Sequence, residues 1–79
     1  MIKLNKQVEA LERVIEKIET KIEDYQNKMD AIEEKAGDED RELTTREKDR
    51  FFDLEEKIEE LQEEIDEIEK ALDYLREYL

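Results

Sequence analysis

The chain has 79 residues, of which 52% are charged, and its formal net charge is −13. It contains no cysteine and no histidine, which excludes disulfides, thiolate chemistry and imidazole acid–base catalysis. A negative net charge disfavours direct contact with nucleic acid or anionic membranes, because their phosphates attract lysine and arginine. We therefore expect a cytoplasmic, non-enzymatic protein without cofactor or metal, whose partner is a basic protein surface.

The first predicted element is a helix over about residues 3–36. Large apolar residues recur along it at alternating spacings of three and four: Leu4, Val8, Leu11, Ile15, Ile18, Ile22, Tyr25, Met29, Ile32 and Ala36. A mean spacing of about 3.5 residues is typical of helices that pack along a shared seam. Gly37 follows, and glycine is common as the left-handed residue that ends a helix. We therefore predict that the helix stops there.

The connection is predicted to be a polar loop over residues 37–44. Thr44 and Glu47 have the spacing of a capping box, in which each side chain bonds the backbone N–H of the other residue. This motif predicts that the second helix begins at Thr45, and we expect it to continue to about residue 79.

The second helix repeats the apolar spacing of the first: Phe51, Leu54, Ile58, Leu61, Ile65, Ile68, Leu72, Leu75 and Leu79. When the helices are folded back on each other, residues whose numbers sum to 83 become neighbours, for example Ile18 with Ile65 and Leu4 with Leu79. Every such layer along the two runs is apolar on both sides except Ala36 with Glu47. The predicted fold is therefore all-α, an antiparallel two-helix coiled-coil hairpin that forms one domain over residues 1–79.

The seam is flanked by segregated charges, described here with the seven-residue positions a to g and Val8 at position a. The g positions near the loop are basic, and the e positions are mostly acidic. This segregation favours a second hairpin whose flank carries the opposite charge, so we predict a homodimer that forms a four-helix bundle. Farther from the loop the g flank becomes apolar, which predicts a dimer interface at Val14, Ala71 and Tyr78.

The outer face of the second helix carries a ridge of regularly spaced acids. From Phe51 to the end there are twelve acids and three bases, a net charge of −9. Such a ridge can compete with nucleic acid for a basic groove, although acidic helix surfaces can also serve solubility alone. The predicted partner-binding acids lie at b, c and f positions, away from the seam: Glu56, Glu59, Glu60, Glu63, Asp66 and Glu67.

Two features near the loop have more than one interpretation. Phe52 lies outside the seam at position b, where it either anchors a partner or packs on Leu43 to close the end of the hairpin. Arg46 and Arg50, together with Arg41, make the loop end locally basic and form a secondary candidate site. An oligomer with such ends could bind small anions such as nucleotides, which is one alternative function. A purely structural assembly module is the other.

The segment from Leu43 to Glu56 reads LTTREKDRFFDLEE. It resembles the opening of the second helix in small acidic helical-hairpin proteins of Gram-positive bacteria, phages and mobile elements. Some phage proteins of similar size and charge inhibit host defence, and they include types that mimic nucleic acid. The resemblance therefore implies a small inhibitor, of phage or mobile-element origin, that acts by binding a protein.

Overall fold

The computed structural model describes residues 2–78, with side chains from residue 5 onward. It contains two helices, α1 (Ile2–Asp38) and α2 (Thr45–Arg76), which pack along each other in an elongated body of 58 × 16 × 14 Å. An ion pair between Arg76 and Glu12 joins the end of α2 to the beginning of α1, so the helices are antiparallel. The predicted two-helix hairpin is confirmed.

The core lies along the predicted seam. Ile18, Ile22 and Ile58 form its central buried cluster, and five partly buried residues pack against it: Tyr25, Met29, Leu61, Ile65 and Ile68. These neighbours fit the register in which paired residue numbers sum to 83. All predicted seam residues from Val8 to Leu75 are buried or partly buried. Leu4 and Leu79 lie outside the described side chains.

The end of α1 differs from the prediction. Gly37 is not left-handed and lies inside α1, whereas Asp40 has a φ of 50°. The Asp40 N–H donates to the Gly37 carbonyl at 3.1 Å, and the Arg41 N–H donates to the Ala36 carbonyl at 3.0 Å. This pair of bonds is the Schellman motif. The predicted stop at Gly37 is therefore wrong, because Asp40 takes the left-handed position and the helix runs to Asp38.

The beginning of α2 is as predicted. The Glu47 N–H donates to Thr44 Oγ1 at 3.1 Å, and the Thr44 N–H donates to Glu47 Oε1 at 2.9 Å. Together these two bonds form the capping box, which satisfies donors that the first turn of a helix leaves open. Helix α2 ends at Arg76, followed by a turn at Glu77 and Tyr78, whereas we predicted a helix to about residue 79.

An arginine completes the closure of the loop. Arg41 Nη1 and Nη2 donate to the two carboxylate oxygens of Glu47 at 2.6 and 3.2 Å, and Arg41 Nε also pairs with Glu39. The hydrogen bonds from Arg41, with the one from the Thr44 N–H, lower the pKa of Glu47 to about 2. The same carboxylates raise the pKa of Arg41 above its ordinary value. The loop is therefore held by the capping box together with the hydrogen bonds from Arg41.

Candidate protein-binding surfaces

The hairpin presents two broad faces, one on each side of the seam, and their charges differ. The first, which we call the acidic face, consists of the b and e positions of both helices. It carries only two bases, Lys48 and Arg76, against twelve exposed acids, a net charge of −10. The acids are Glu9, Glu12, Glu16, Glu19, Glu23, Asp30, Glu33, Glu55, Glu59, Asp66, Glu69 and Asp73.

The opposite face, which we call the mixed face, consists of the c and g positions. Among the described side chains, from residue 5 onward, its seven bases are Lys17, Lys21, Lys28, Lys35, Arg46, Arg50 and Lys57. Its six acids are Asp24, Asp38, Asp53, Glu60, Glu64 and Glu67, so the face has a net charge of only +1. The net negative charge beside the seam therefore lies on one side of the hairpin.

A groove runs between the helices on the acidic face, near the chain termini. It has a volume of about 490 Å³, and Ile15 and Leu72 form its apolar floor. Carboxylates from both helices line its rims: Glu12, Glu16, Glu19, Glu69 and Asp73. Arg76 pairs with Glu12 at 3.7 Å and with Asp73 at 3.9 Å. Since one cation faces five carboxylates, the groove is strongly negative.

The six predicted partner-binding acids of α2 are all exposed. Within the part of the chain that the structure describes, none of the six takes part in an ion pair. They do not share one face, however. Glu59 and Asp66 belong to the acidic face and Glu60 and Glu67 to the mixed face. The other two, Glu56 and Glu63, follow the outer edge between those faces.

The acidic e positions of both helices were recognised from the sequence, but the acids of α1 at the b positions, which extend them into one acidic face, were missed. A comparison of net charge between the two helices hides them, because α1 also carries many bases. Those bases lie mainly on the mixed face, at positions such as Lys21, Lys28 and Lys35. The signal was present in the b and e positions of both helices taken together, which a helix-by-helix count does not examine.

Phe52 is one of two large aromatic side chains next to each other at the loop end of α2. It is 62% exposed, and its ring meets that of Phe51 edge-on, with 6.1 Å between the centroids. A side chain exposed to this extent does not close the end of the hairpin. Leu43 instead lines a groove beside Ala36 and Arg41. Phe52 is therefore available to solvent, and its role as an anchor for a partner stays a prediction.

The basic residues at the loop end are not equivalent. Arg46 and Arg50 are exposed, and neither forms an ion pair with another described residue. Arg50 lines a groove of about 310 Å³ on the mixed face together with Lys28 and Lys35. Arg41, by contrast, is already held by two carboxylates. The predicted basic loop end is thus reduced to Arg46, Arg50 and the lysines beside them.

The mixed face also carries apolar and aromatic surface. At its terminal end, Val14 is 41% exposed and Tyr78 58% exposed, and Ala71 is exposed as well. Tyr78 Oη donates to Tyr74 Oη at 3.3 Å, and this bond raises the pKa of Tyr78. The predicted interface residues therefore share one end of one face with the tyrosine pair.

Nearer the loop, Tyr25 shows how cations and an aromatic ring combine on the mixed face. The ring lies within reach of Lys28 Nζ, at 5.7 Å from its centroid, and of Lys57 Nζ, at 5.9 Å. Such distances permit cation–π attraction. The two lysines come from different helices, so the ring reduces the cost of placing like charges across the seam.

Among residues 5–78, no three acidic side chains are grouped so that they could hold a metal ion. No helix in the described chain is long and apolar enough to cross a membrane. Comparison with known proteins finds no matching family model, no similar curated protein and no similar solved structure.

Proposed function

We propose that this protein is a non-enzymatic binding module that attaches to a basic surface of another protein. The observation that carries the proposal is the set of exposed, unpaired carboxylates along α2. The acidic face adds further exposed carboxylates from α1. Paired carboxylates would have to give up a bond before they could bind a partner. These six need only lose water, so their charge remains available for a basic partner.

Charge of one sign over an extended surface acts mainly on encounter and specificity. It steers a basic partner toward the surface and raises the association rate, which falls as salt screens the field. Phe52, on the acidic face near the loop, supplies an apolar anchor of the kind that fixes such encounters. The partner is thus expected to combine a basic groove with an apolar pocket.

A groove lined with lysine and arginine is also what nucleic acid binds. A protein that fills such a groove with carboxylates excludes nucleic acid from it. In this form the proposed function is that of a small inhibitor of a nucleic-acid-binding protein. Host defence systems of the kind suggested by the resemblance contain such proteins, which makes a phage or mobile-element inhibitor the specific version of the proposal.

The decisive variant reverses three acids of α2: Glu56→Lys, Glu60→Lys and Glu63→Lys. All three side chains are exposed, so helicity should be nearly unchanged. The matched control, Asp24→Lys with Glu34→Lys and Asp38→Lys, changes net charge equally but on α1 and outside the acidic face. Partner capture from cells in which the protein occurs should survive in the control and be lost in the α2 variant. Duplex DNA competes for the basic groove of the partner, so it should release the captured partner from this protein.

If the α2 variant captures the partner as well as the wild type does, the acids of α2 serve only solubility. The purely structural assembly module then becomes the better description. If both variants lose the partner equally, net charge rather than the position of the acids determines binding.

A further part of the proposal is that two hairpins form a homodimer, a four-helix bundle of coiled-coil type. Two helices leave the seam incompletely covered, since ten of its seventeen residues from Val8 to Leu75 are only partly buried. Val14, Ala71 and Tyr78 add apolar surface beside it. A melting temperature that rises with protein concentration would show the assembly, and sedimentation would give its size.

A second candidate function is supported by one observation. Lys28, Lys35 and Arg50 line the same groove on the mixed face, which could hold a small anion such as a nucleotide. Glu47 also lines that groove, which opposes such binding. Titration of the protein with nucleotides by calorimetry tests this candidate, and heat of binding that Arg50→Ala abolishes would support it.

A further inference from the structure

We infer that the second copy docks on the mixed face in an antiparallel orientation. In this arrangement Tyr74 and Tyr78 of each hairpin lie against the cationic groove near the loop of the other. The inference rests on the proposed homodimer and specifies its interface. It depends on three observations: where the charge is, where the exposed apolar surface is, and how both are distributed along the mixed face.

The acidic face is unsuited to contact with another copy. In a closed two-fold dimer both copies use the same face, so the contact between a basic and an acidic flank that charge segregation predicted does not form there. The acidic face carries twelve acids and two bases, and two such faces would bring strong like charge together. Like charges across an interface oppose association. The mixed face, with seven bases and six acids, has no such barrier and can form opposite-charge pairs.

The exposed apolar surface points to the same face. Among the described residues four large hydrophobic side chains are exposed, and three of them, Val14, Tyr74 and Tyr78, belong to the mixed face. The d positions, which border this face, are also less covered than the a positions. Six d residues of the described seam are only partly buried: Leu11, Tyr25, Ile32, Leu61, Ile68 and Leu75.

The a positions border the acidic face, and five of them are buried: Val8, Ile22, Ala36, Ile58 and Leu72. Only Ile18 and Leu54 are buried among the described d residues. A second copy on the mixed face would therefore remove more apolar surface from water than one on the acidic face. Removal of apolar surface is the main favourable term in association.

The orientation follows from the uneven g positions of the mixed face. The five cations there lie at the centre and in the loop half, namely Lys21, Lys28, Lys35, Arg50 and Lys57, whereas the terminal half carries Gln7, Val14, Glu64, Ala71 and Tyr78. Parallel docking would place the cations of one copy against those of the other. Antiparallel docking places the cations at the loop end of α2, Arg46 and Arg50, against tyrosine rings, with which cations associate favourably, and it moves Lys28 and Lys35 away from the same lysines of the other copy. Tyr25 already holds two lysines in this way within one hairpin.

The proposed contact between Arg50 and Tyr74 fixes the level of the two-fold axis along the helix. A two-fold axis at the level of Gln62 has Arg50 twelve residues before it and Tyr74 twelve residues after it. At a rise of 1.5 Å per residue both lie about 18 Å from the axis. Each tyrosine pair therefore reaches the level of Arg50 in the other copy, and the two contacts are equivalent by symmetry.

Two spin-labelled variants distinguish the orientations. The chain has no cysteine, so Glu34→Cys and Thr20→Cys each give a single label on the outer edge of α1. Glu34 lies thirteen residues from the level of Lys21, where the axis crosses α1. In the antiparallel dimer its two labels are separated by about 39 Å along the helix axis, whereas the Thr20 labels are separated by about 3 Å.

Pulsed electron paramagnetic resonance should therefore give a much longer distance for Glu34 than for Thr20. Equal distances for the two positions would show a parallel dimer and would overturn the inference while leaving the dimer in place. A wild-type protein that is monomeric at all concentrations would overturn both. Neither result by itself bears on the binding of a basic partner. Because Glu60 belongs to the mixed face, sedimentation of the α2 variant must first show an unchanged dimer before its partner capture is compared with that of the wild type.

The contact residues are tested by Tyr74→Ser with Tyr78→Ser. The dissociation constant of the dimer should rise at least about tenfold. The matched control is Phe52→Ser, which removes an aromatic ring of the same 62% exposure as Tyr74 from the acidic face. Circular dichroism checks that both variants remain helical. If Phe52→Ser weakens the dimer as much as the tyrosine variant does, the mixed face is not the interface.

Discussion

The two ends of the hairpin are held by different kinds of interaction. At the loop, backbone and side-chain hydrogen bonds close a short segment, and Arg41, Thr44 and Glu47 all take part. At the terminal end, apolar residues distant in sequence meet across the seam, and large side chains such as Tyr74 remain exposed. The loop end therefore forms from its own residues, whereas the terminal end depends on long-range packing.

The two kinds of interaction contribute unequally to the free energy of unfolding. Polar bonds at an exposed turn exchange bonds to water for bonds within the protein, so each contributes modestly. Burial of a large aliphatic side chain contributes more, because its removal also leaves a cavity. We therefore expect the most severe single substitution to lie at the terminal end.

The largest expected effect is that of Leu72→Ala. Leu72 is the most buried residue of the described core, at 2% exposure, and its truncation should lower the free energy of unfolding by about 3 kcal/mol. Chemical denaturation measures this at a protein concentration low enough for the monomer. Leu75→Ala, at a partly buried position in the next turn, is the control and should cost less. Equal losses would show that the terminal end is packed uniformly.

A smaller effect is expected at the loop from Thr44→Ala. This change removes the hydroxyl that accepts the Glu47 N–H, and loss of such a cap costs about 1 kcal/mol. Thr45→Ala, one residue later and outside the capping bond, is the matched control and should leave stability nearly unchanged. If the two threonine variants have the same melting temperature, the capping box does not stabilise α2.

The third prediction concerns pH. The pKa of Glu47 is lowered to about 2, first by its hydrogen bonds to Arg41. A lowered folded pKa means that the carboxylate stabilises the folded state above its ordinary pKa and loses this contribution as pH falls toward 2. Glu47→Gln keeps the capping geometry but lacks the charge. Its stability should fall below that of the wild type at pH 6 and approach it near pH 2.

The background Arg41→Ala provides the control for this titration. Without Arg41 the main cause of the shift is absent, so Glu47→Gln should then change stability much less at pH 6. Thermal melts of the four proteins across this pH range form a double-mutant cycle. A difference between wild type and Glu47→Gln that does not vary with pH would contradict the assigned pKa.

The smallest effect is expected from Tyr74→Phe at the exposed terminal end. This substitution removes the oxygen that accepts the hydrogen bond of Tyr78, so the raised pKa of Tyr78 should fall toward its ordinary value. Stability should change by well under about 1 kcal/mol, because both hydroxyl groups can bond to water instead. Alkaline titration followed by tyrosine absorbance measures the shift, and an unchanged titration curve would refute the contact.

The features that sequence reasoning predicted correctly depend on periodicity or on a short motif. The seam and its register follow from apolar spacing, which continues over both helices. The capping box follows from the threonine and glutamate at fixed separation. Both patterns are reliable guides because the residues that form each pattern are also the residues whose interactions stabilise the fold. No long-range information is needed to recognise them.

The error at Gly37 has a different origin. Glycine is favoured at a left-handed position, but it also adopts helical angles, as it does here. The position of the left-handed turn depends on which carbonyls receive the Asp40 and Arg41 N–H groups. Arg41 is in turn held by Glu47 from the next helix. The end of α1 is therefore decided by a contact that the local sequence does not reveal.

The division into an acidic and a mixed face was predicted in part, from the charges of the e and g positions, but its full extent was missed. It arises only when b and e positions from both helices are placed on one side of the hairpin, as in the groove beside Glu12 and Glu69. The fold supplies this placement. Once the register is known, the charge of each face follows from the sequence.

The loop that the capping box and Arg41 hold has a consequence for the order in which the chain folds. Seam pairs near the loop, such as Ile32 with Phe51, close a much shorter segment than Val8 with Leu75 at the far end. Direct closure of the longer segment costs about 1 kcal/mol more free energy, because it loses more chain entropy. We therefore expect folding to begin at the turn and to proceed toward the termini. Stopped-flow refolding tests this: Thr44→Ala should slow refolding, whereas Leu72→Ala should mainly accelerate unfolding.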